Sequence, residues 1–160
     1  MNEWNDFFIS TAGAAGVLAG LIFVGVSINL TKILSFPTLP NRALISMTLL
    51  LAILIVSLLL LVPRETLKSA GYIITIIGLA TWVFISRIDL KSLRLTEKEY
   101  QTQYYSNMLF NQLSILPYFV SGLSILFIGE VGLYWIVPAI IFSFIKSFSD
   151  AWVLLVEINR

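Results

Sequence analysis

Five apolar stretches, 7–31, 43–62, 69–86, 108–129 and 133–156, account for most of this chain, and the charged residues gather in the short segments between them. Each is close to the roughly 20 residues that a helix rising about 1.5 Å per residue needs to cross a hydrocarbon core. Inside that core no water is available to bond the peptide groups, so a spanning segment must satisfy its backbone internally. Composition points the same way, with 58% hydrophobic and 12% charged residues, against about 25% charged in a soluble domain. Mean hydropathy is +0.93. The expectation is an all-α, polytopic transmembrane helical bundle of five spans, forming one domain over residues 1–160.

Orientation follows from Lys and Arg. Lys32, Arg42, Arg87, Lys91, Arg94, Lys98 and Arg160 fall on one side of a five-span path, and Arg64 and Lys68 on the other. Seven against two places the first side in the cytoplasm, with the N-terminus outside, the C-terminus inside, and segment 87–107 cytoplasmic. The first stretch reads as a retained span, since Glu3 and Asp6 precede it where a signal peptide would carry Lys or Arg. A re-entrant hairpin of the last two stretches would instead move the C-terminus to the outer face.

The connections carry breakers. Pro37 and Pro40 part the first two spans, Asn41 is placed to cap the second, Pro63 ends it, and 129–132 turns the chain before the last. Thr96 and Glu99 have capping-box spacing, and Leu90, Leu93, Tyr100 and Tyr104 fall near one face. Pro117 and Pro138 lie inside spans, where each removes a backbone hydrogen bond and favours a kink.

The chain has no Cys and no His, which removes thiolate nucleophiles, disulfides, imidazole bases and the usual zinc and haem ligands. Net charge is +1 with the basic residues scattered, so no nucleic-acid partner is expected. No P-loop, dinucleotide fingerprint, nucleophile elbow or HExxH occurs, and the reading is of a protein that is not an enzyme and needs no cofactor or metal.

Two patterns stand out within the spans. The first is rich in small residues, Ala12, Gly13, Ala15, Gly16, Ala19, Gly20 and Gly25, with Gly16 and Gly20 forming a GxxxG pair. Small residues let helix backbones approach closely in lipid, which predicts a central helix packing within the subunit or between subunits. The last span carries the second pattern. At about 100° per residue, Ala139, Ser143, Lys146, Ser147, Asp150, Leu154 and Glu157 fall within one arc, opposite Ile141, Phe144, Ile145, Phe148 and Trp152.

Charges at membrane depth cost about 2.5–3.5 kcal/mol each on the insertion scale, so Lys146 and Asp150 must face one another, a bundle interior or water. Gln112 and Asn111 on the fourth span, and Ser27 and Asn29 on the first, lie at depths from which they could join the stripe. No second acidic residue is expected at that depth, and Arg87, beside Asp89, is read as a headgroup anchor. Three readings of the stripe stand open: a self-neutralising pair that fixes helix register, the polar lining of an oligomeric pore, and an ion or proton relay through Asp150.

Several strings, GAAGVLAGLIFV (13–24), SINL (27–30), LPNRAL (39–44), LVP (61–63) and AWVLLVE (151–157), resemble a family of small bacterial integral membrane proteins without established activity. Some of its members are labelled modulator of FtsH protease. The resemblance implies a bacterial membrane location and assigns no catalytic or binding residues. The function expected is a homo-oligomer in the lipid bilayer forming a small channel or pore-like assembly. The alternative is a non-enzymatic regulator that binds another membrane protein, such as a membrane-anchored protease.

Reporter tags at the two termini should prove accessible from opposite faces of the membrane. Access to both from one face would sink the five-span path.

Overall fold

A computed structural model describes residues 2–62, 67–95 and 101–156. Every element among them is helical: α1 (Asn2–Ile28), α2 (Leu30–Leu34), α3 (Leu39–Leu61), α4 (Leu67–Leu95), α5 (Gln101–Ile128), a 3₁₀ stretch (Glu130–Trp135) and α6 (Ile136–Leu155). Five of these are long and apolar enough to cross a membrane: Trp4–Ile28, Leu39–Leu61, Leu67–Leu95, Tyr104–Ile128 and Glu130–Leu155.

Local chemistry explains where the helices stop. The Asn29 backbone N–H and side-chain amide both donate to the Gly25 carbonyl, at 3.2 and 3.0 Å, and the break between α1 and α2 falls at this residue. Pro40 lies in the first turn of α3, where its missing N–H costs nothing. The capping position there belongs to Thr38, not Asn41, whose side chain instead reaches across to α4. α3 ends at Leu61, and Val62, just before Pro63, is extended at φ −68°, ψ 126°. Gly129 turns α5 toward α6 at φ +84°, a conformation that favours glycine. The 3₁₀ stretch delays α6 to Ile136, so Pro138 falls in its first turn, where a kink has no cause. Among the described residues, only Pro117 sits in a helix interior.

Expected boundaries shift in several places: the first helix ends at Ile28 instead of 31, α3 begins at Leu39 instead of 43, and α5 at Gln101 instead of 108. Residues 87–95 continue α4 as helix instead of leaving the membrane helix at Ser86. The Thr96–Glu99 box and Tyr100 lie outside the described residues.

Helices α3, α4, α5 and α6 close a four-membered ring in which each packs on the next, and α1 lies outside it against α3, with a smaller contact to α6. The central helix is therefore α3 and not the glycine-rich α1. Leu50, Ile53, Val56 and Leu60 of its buried face share a core with Phe8, Ala15 and Ile22 of α1 and with Ile136 and Ile140 of α6, while Ile45 and Leu49 pack with Ile85 of α4 and Ile115 of α5.

Small residues do bring helices together, at the α4–α5 seam. Gly71 and Gly78, one heptad apart on α4, face Ile125, Leu126, Tyr118 and Phe119 of α5, and Gly122 of α5 lies against Thr75 of α4. A methyl on Gly122 would fall 2.7 Å from the Thr75 backbone nitrogen, and one on Gly132 2.7 Å from the Ser124 carbonyl carbon. Both neighbours are backbone and cannot swing away.

Gly122→Ala and Gly132→Ala should therefore each lower stability by about 1–3 kcal/mol, read as the midpoint of denaturant unfolding in micelles. Gly13→Ala, where nothing stands within 4 Å, should be neutral or mildly stabilising.

Candidate functional site: a buried charge network

Toward the end of the bundle where α3 and α5 begin and α4 and α6 finish, four helices turn polar groups inward. On α6 the polar positions recur at three- and four-residue spacing, so Ser143, Lys146, Ser147 and Asp150 share one face. All four are at least 98% buried. The opposite face, Ile141, Ile145, Phe148 and Trp152, is exposed and apolar. The stripe thus faces helices of its own chain. Glu157 lies outside the described residues.

Asp150 is the hub. The Lys146 ammonium, one turn earlier on α6, donates to Asp150 Oδ2. Arg42 Nε of α3 stands 3.3 Å from Oδ1. Oδ1 has no aligned hydrogen bond, so this contact is one of charge. Ser46 Oγ, one turn along α3 from Arg42, donates to Oδ2 at 3.3 Å. Arg42 is half-buried and also donates through Nη2 to Asn107 Oδ1 of α5 at 3.2 Å.

The serines fasten α6 to both neighbours. Ser147 Oγ donates to the Ser46 carbonyl of α3 at 3.3 Å. Ser143 Oγ donates to the Ser114 carbonyl of α5 at 3.2 Å, and Ser114 Oγ donates back to the Phe142 carbonyl at 3.1 Å. Hydroxyls bonded to main-chain carbonyls fix both the rotation and the height of α6, because sliding one residue would misplace all of them.

A second acid lies beside this group. Asp89 of α4 is fully buried, within electrostatic range of both Lys146 and Asp150. Its Oδ1 accepts from Asn111 Nδ2 of α5 at 2.8 Å. Tyr104 of α5 lies beside Asp89 and Ser92, and Asn41 Nδ2 of α3 donates to Ser92 Oγ of α4 at 2.6 Å. With Arg42, Lys146, Asp89 and Asp150 ionised, two positive and two negative charges balance, which limits what their desolvation costs.

The structure brings Asn111 into this network, on Asp89 and not on the α6 pair. Gln112 points elsewhere, accepting from Trp82 Nε1 at 2.7 Å and donating to Ser86 Oγ at 3.3 Å. Ser27 is exposed and bonds its own Phe23 carbonyl, and Asn29 bonds Gly25, so neither reaches the network. On α1, Ala12 is buried while Gly13, Gly16 and Gly20 are exposed.

Sequence reasoning passed over Arg42 and Asp89, and the expectation of no second acid near the pair is corrected by Asp89. Both fall just beyond the apolar stretches, Arg42 before 43–62 and Asp89 after 69–86. The signal was present in spacing: Ile74, Gly78, Thr81, Ile85, Asp89 and Ser92 are all buried and follow one another at three or four residues, so the inward face of α4 runs straight through the acid. Arg42 likewise precedes Ile45, Ser46 and Leu49 on the inward face of α3.

Comparison of the chain with protein-family models, with curated proteins and with solved structures found no match.

Asp150→Leu leaves Arg42 and Lys146 without their shared carboxylate and should cost about 3–5 kcal/mol. Adding Lys146→Met to an Asp150→Leu background removes one charge of each sign and should recover much of that loss. Unfolding of the single and double variants in micelles measures the coupling; additive losses would show that the residues do not act as a unit.

Proposed function

We propose that the protein is a non-enzymatic membrane component that works by lateral association in the bilayer, assembling with further copies of itself through the outward face of α1. The observation that carries this reading is a contrast among the glycines. Inside the long helices, Gly25, Gly71, Gly78 and Gly122 each have a neighbour of the same chain where a side chain would otherwise stand. Gly13, Gly16 and Gly20 have none within 4 Å. Helix-interior glycine costs about 1 kcal/mol relative to alanine. In lipid, its common use is close helix approach, and in this chain that use is met at the other four positions and left open on α1.

Burial of the α6 stripe within one chain supports association in preference to a pore lined by α6. A lining helix would need its polar face turned outward to a shared axis, and the outward residues here are Ile141, Ile145, Phe148 and Trp152. The buried charges serve in this reading as the device that holds the ring of helices in register, so that α1 rests on a firm support. The same face of α1 could take a helix of a different membrane protein, which is the regulator reading raised by the family resemblance.

Gly16→Ile with Gly20→Ile should leave the chain folded, because no neighbour of its own chain is displaced, and should reduce assemblies to single copies. Subunit counting by single-molecule photobleaching in native membrane nanodiscs reads this. A wild-type chain that is already single overturns self-assembly, and crosslinking from α1 to a second protein would then assign the face to a regulator.

A further inference from the structure

Beside Asp150 Oδ1, which faces the Arg42 charge, two oxygens of the charge network are left over. Asp89 Oδ2 and Asn111 Oδ1 are both buried, and neither has a hydrogen-bond partner. They belong to groups already joined through their other atoms, Asn111 Nδ2 donating to Asp89 Oδ1 at 2.8 Å. The amide cannot gain by turning over, because its nitrogen is the only donor it can offer a carboxylate. An orphaned buried acceptor has lost its water without gaining a donor in exchange, which is unfavourable.

One proton answers both. A carboxyl group and a primary amide linked by a single N–H···O bond close a cyclic pair when the carboxyl carries hydrogen on its second oxygen, which then donates to the amide oxygen. The ionised form has a compensation of its own. Arg42 from α3 with Lys146 and Asp150 from α6 carry a net charge of +1, which ionised Asp89 cancels. The remaining titratable group facing Asp89 is Tyr104 of α5, beside Asp89 and Ser92. Protonated, Asp89 would satisfy the orphan oxygens; ionised, it neutralises the cluster.

We propose that Asp89 and Asn111 form a reversible proton-binding site within the bundle. The step is transfer of a proton from solvent hydronium to Asp89 Oδ2: one hydronium O–H bond breaks, leaving water, and the carboxyl O–H bond forms. Tyr104, half-buried near the start of α5, with Ser92 and Asn41 joins the site to the end of the bundle through hydroxyl and amide groups. Uptake changes the charge of the network by one, so the site links acidity on that side of the membrane to the contacts that fix α3, α4, α5 and α6.

Infrared spectroscopy of the purified protein in nanodiscs, titrated from alkaline to mildly acidic pH, tests this. ¹³C-labelled aspartate confines the signal to Asp6, Asp89 and Asp150, and Asp6→Asn removes the exposed one. Acidification should bring up the C=O stretch of a buried protonated carboxyl, moved by exchange into ²H₂O and lost in Asp89→Asn, where an amide replaces the neutral acid. Asn111→Val should shift its frequency by removing the acceptor, which keeps the test decisive if Asp89→Asn does not fold. The proposal is overturned if no such band appears at any pH, if it does not change with pH, or if Asn111→Val leaves it unmoved. Stabilisation by sodium chloride but not choline chloride that requires Asp89, without a band, would make this a cation site instead and equally overturns it.

Discussion

The contact of Asp150 with both Arg42 and Lys146 constrains this structure more than any other interaction. In hydrocarbon an uncompensated charge is costly, and a carboxylate shared between two cations leaves little freedom to the helices that present them. α6 must turn one face to α3 for Arg42 and Ser46 and cannot rotate without exposing Lys146 to lipid. The apolar residues alone would not impose this, because a lipid-facing and a protein-facing Leu differ little in free energy inside a membrane. Charge pairing and the serine-to-carbonyl bonds at Ser143 and Ser147 supply the orientation that hydrophobic burial supplies in water.

The number of long helices and their approximate limits were legible in the sequence, because the lipid thickness fixes length and the cost of unsatisfied peptide groups fixes helicity. The inward face of α6 was legible too, since Ser143, Lys146, Ser147 and Asp150 break an otherwise apolar pattern. What could not be read was which helix answers them. Depth arguments proposed Gln112, Ser27 and Asn29, but depth fixes only height along the axis, and a partner must also lie at the right rotation. Ser27 and Asn29 fail because α1 stands outside the ring and both residues close hydrogen bonds within their own turn. Gln112 fails because it adjoins Asn111 at about 100° around α5, which turns it to Trp82 while Asn111 meets Asp89.

Arg42 and Asp89 show a different limit. Marking a span by where charges begin treats every charge near a boundary as outside, yet helices continue through the interface and carry their inward faces with them. Following the buried periodicity of α4 to Ser92, or of α3 back from Leu49, would have drawn both residues inside. Glycine misled for a related reason. The densest small-residue run lies on α1, but the run that closes a helix seam within the chain is the sparser Gly71–Gly78 pair, whose heptad spacing keeps both on one face toward Gly122.

α3 is the element through which the outer helix and the charge network act on each other. Its Ser57 Oγ lies 2.9 Å from Thr11 Oγ1 of α1, and Ser46 and Arg42, about 16 Å and more further along the same helix by its rise per residue, hold Asp150. A helix is stiff along its axis, so α1 cannot be drawn sideways by a neighbour without loading the helix that positions the carboxylate. The reverse would follow as well: a change in the charge of the network would act on α3 and through it on the face that α1 presents. Association through α1 and proton uptake at Asp89 would then be reciprocal, each altering the free energy of the other by the same amount.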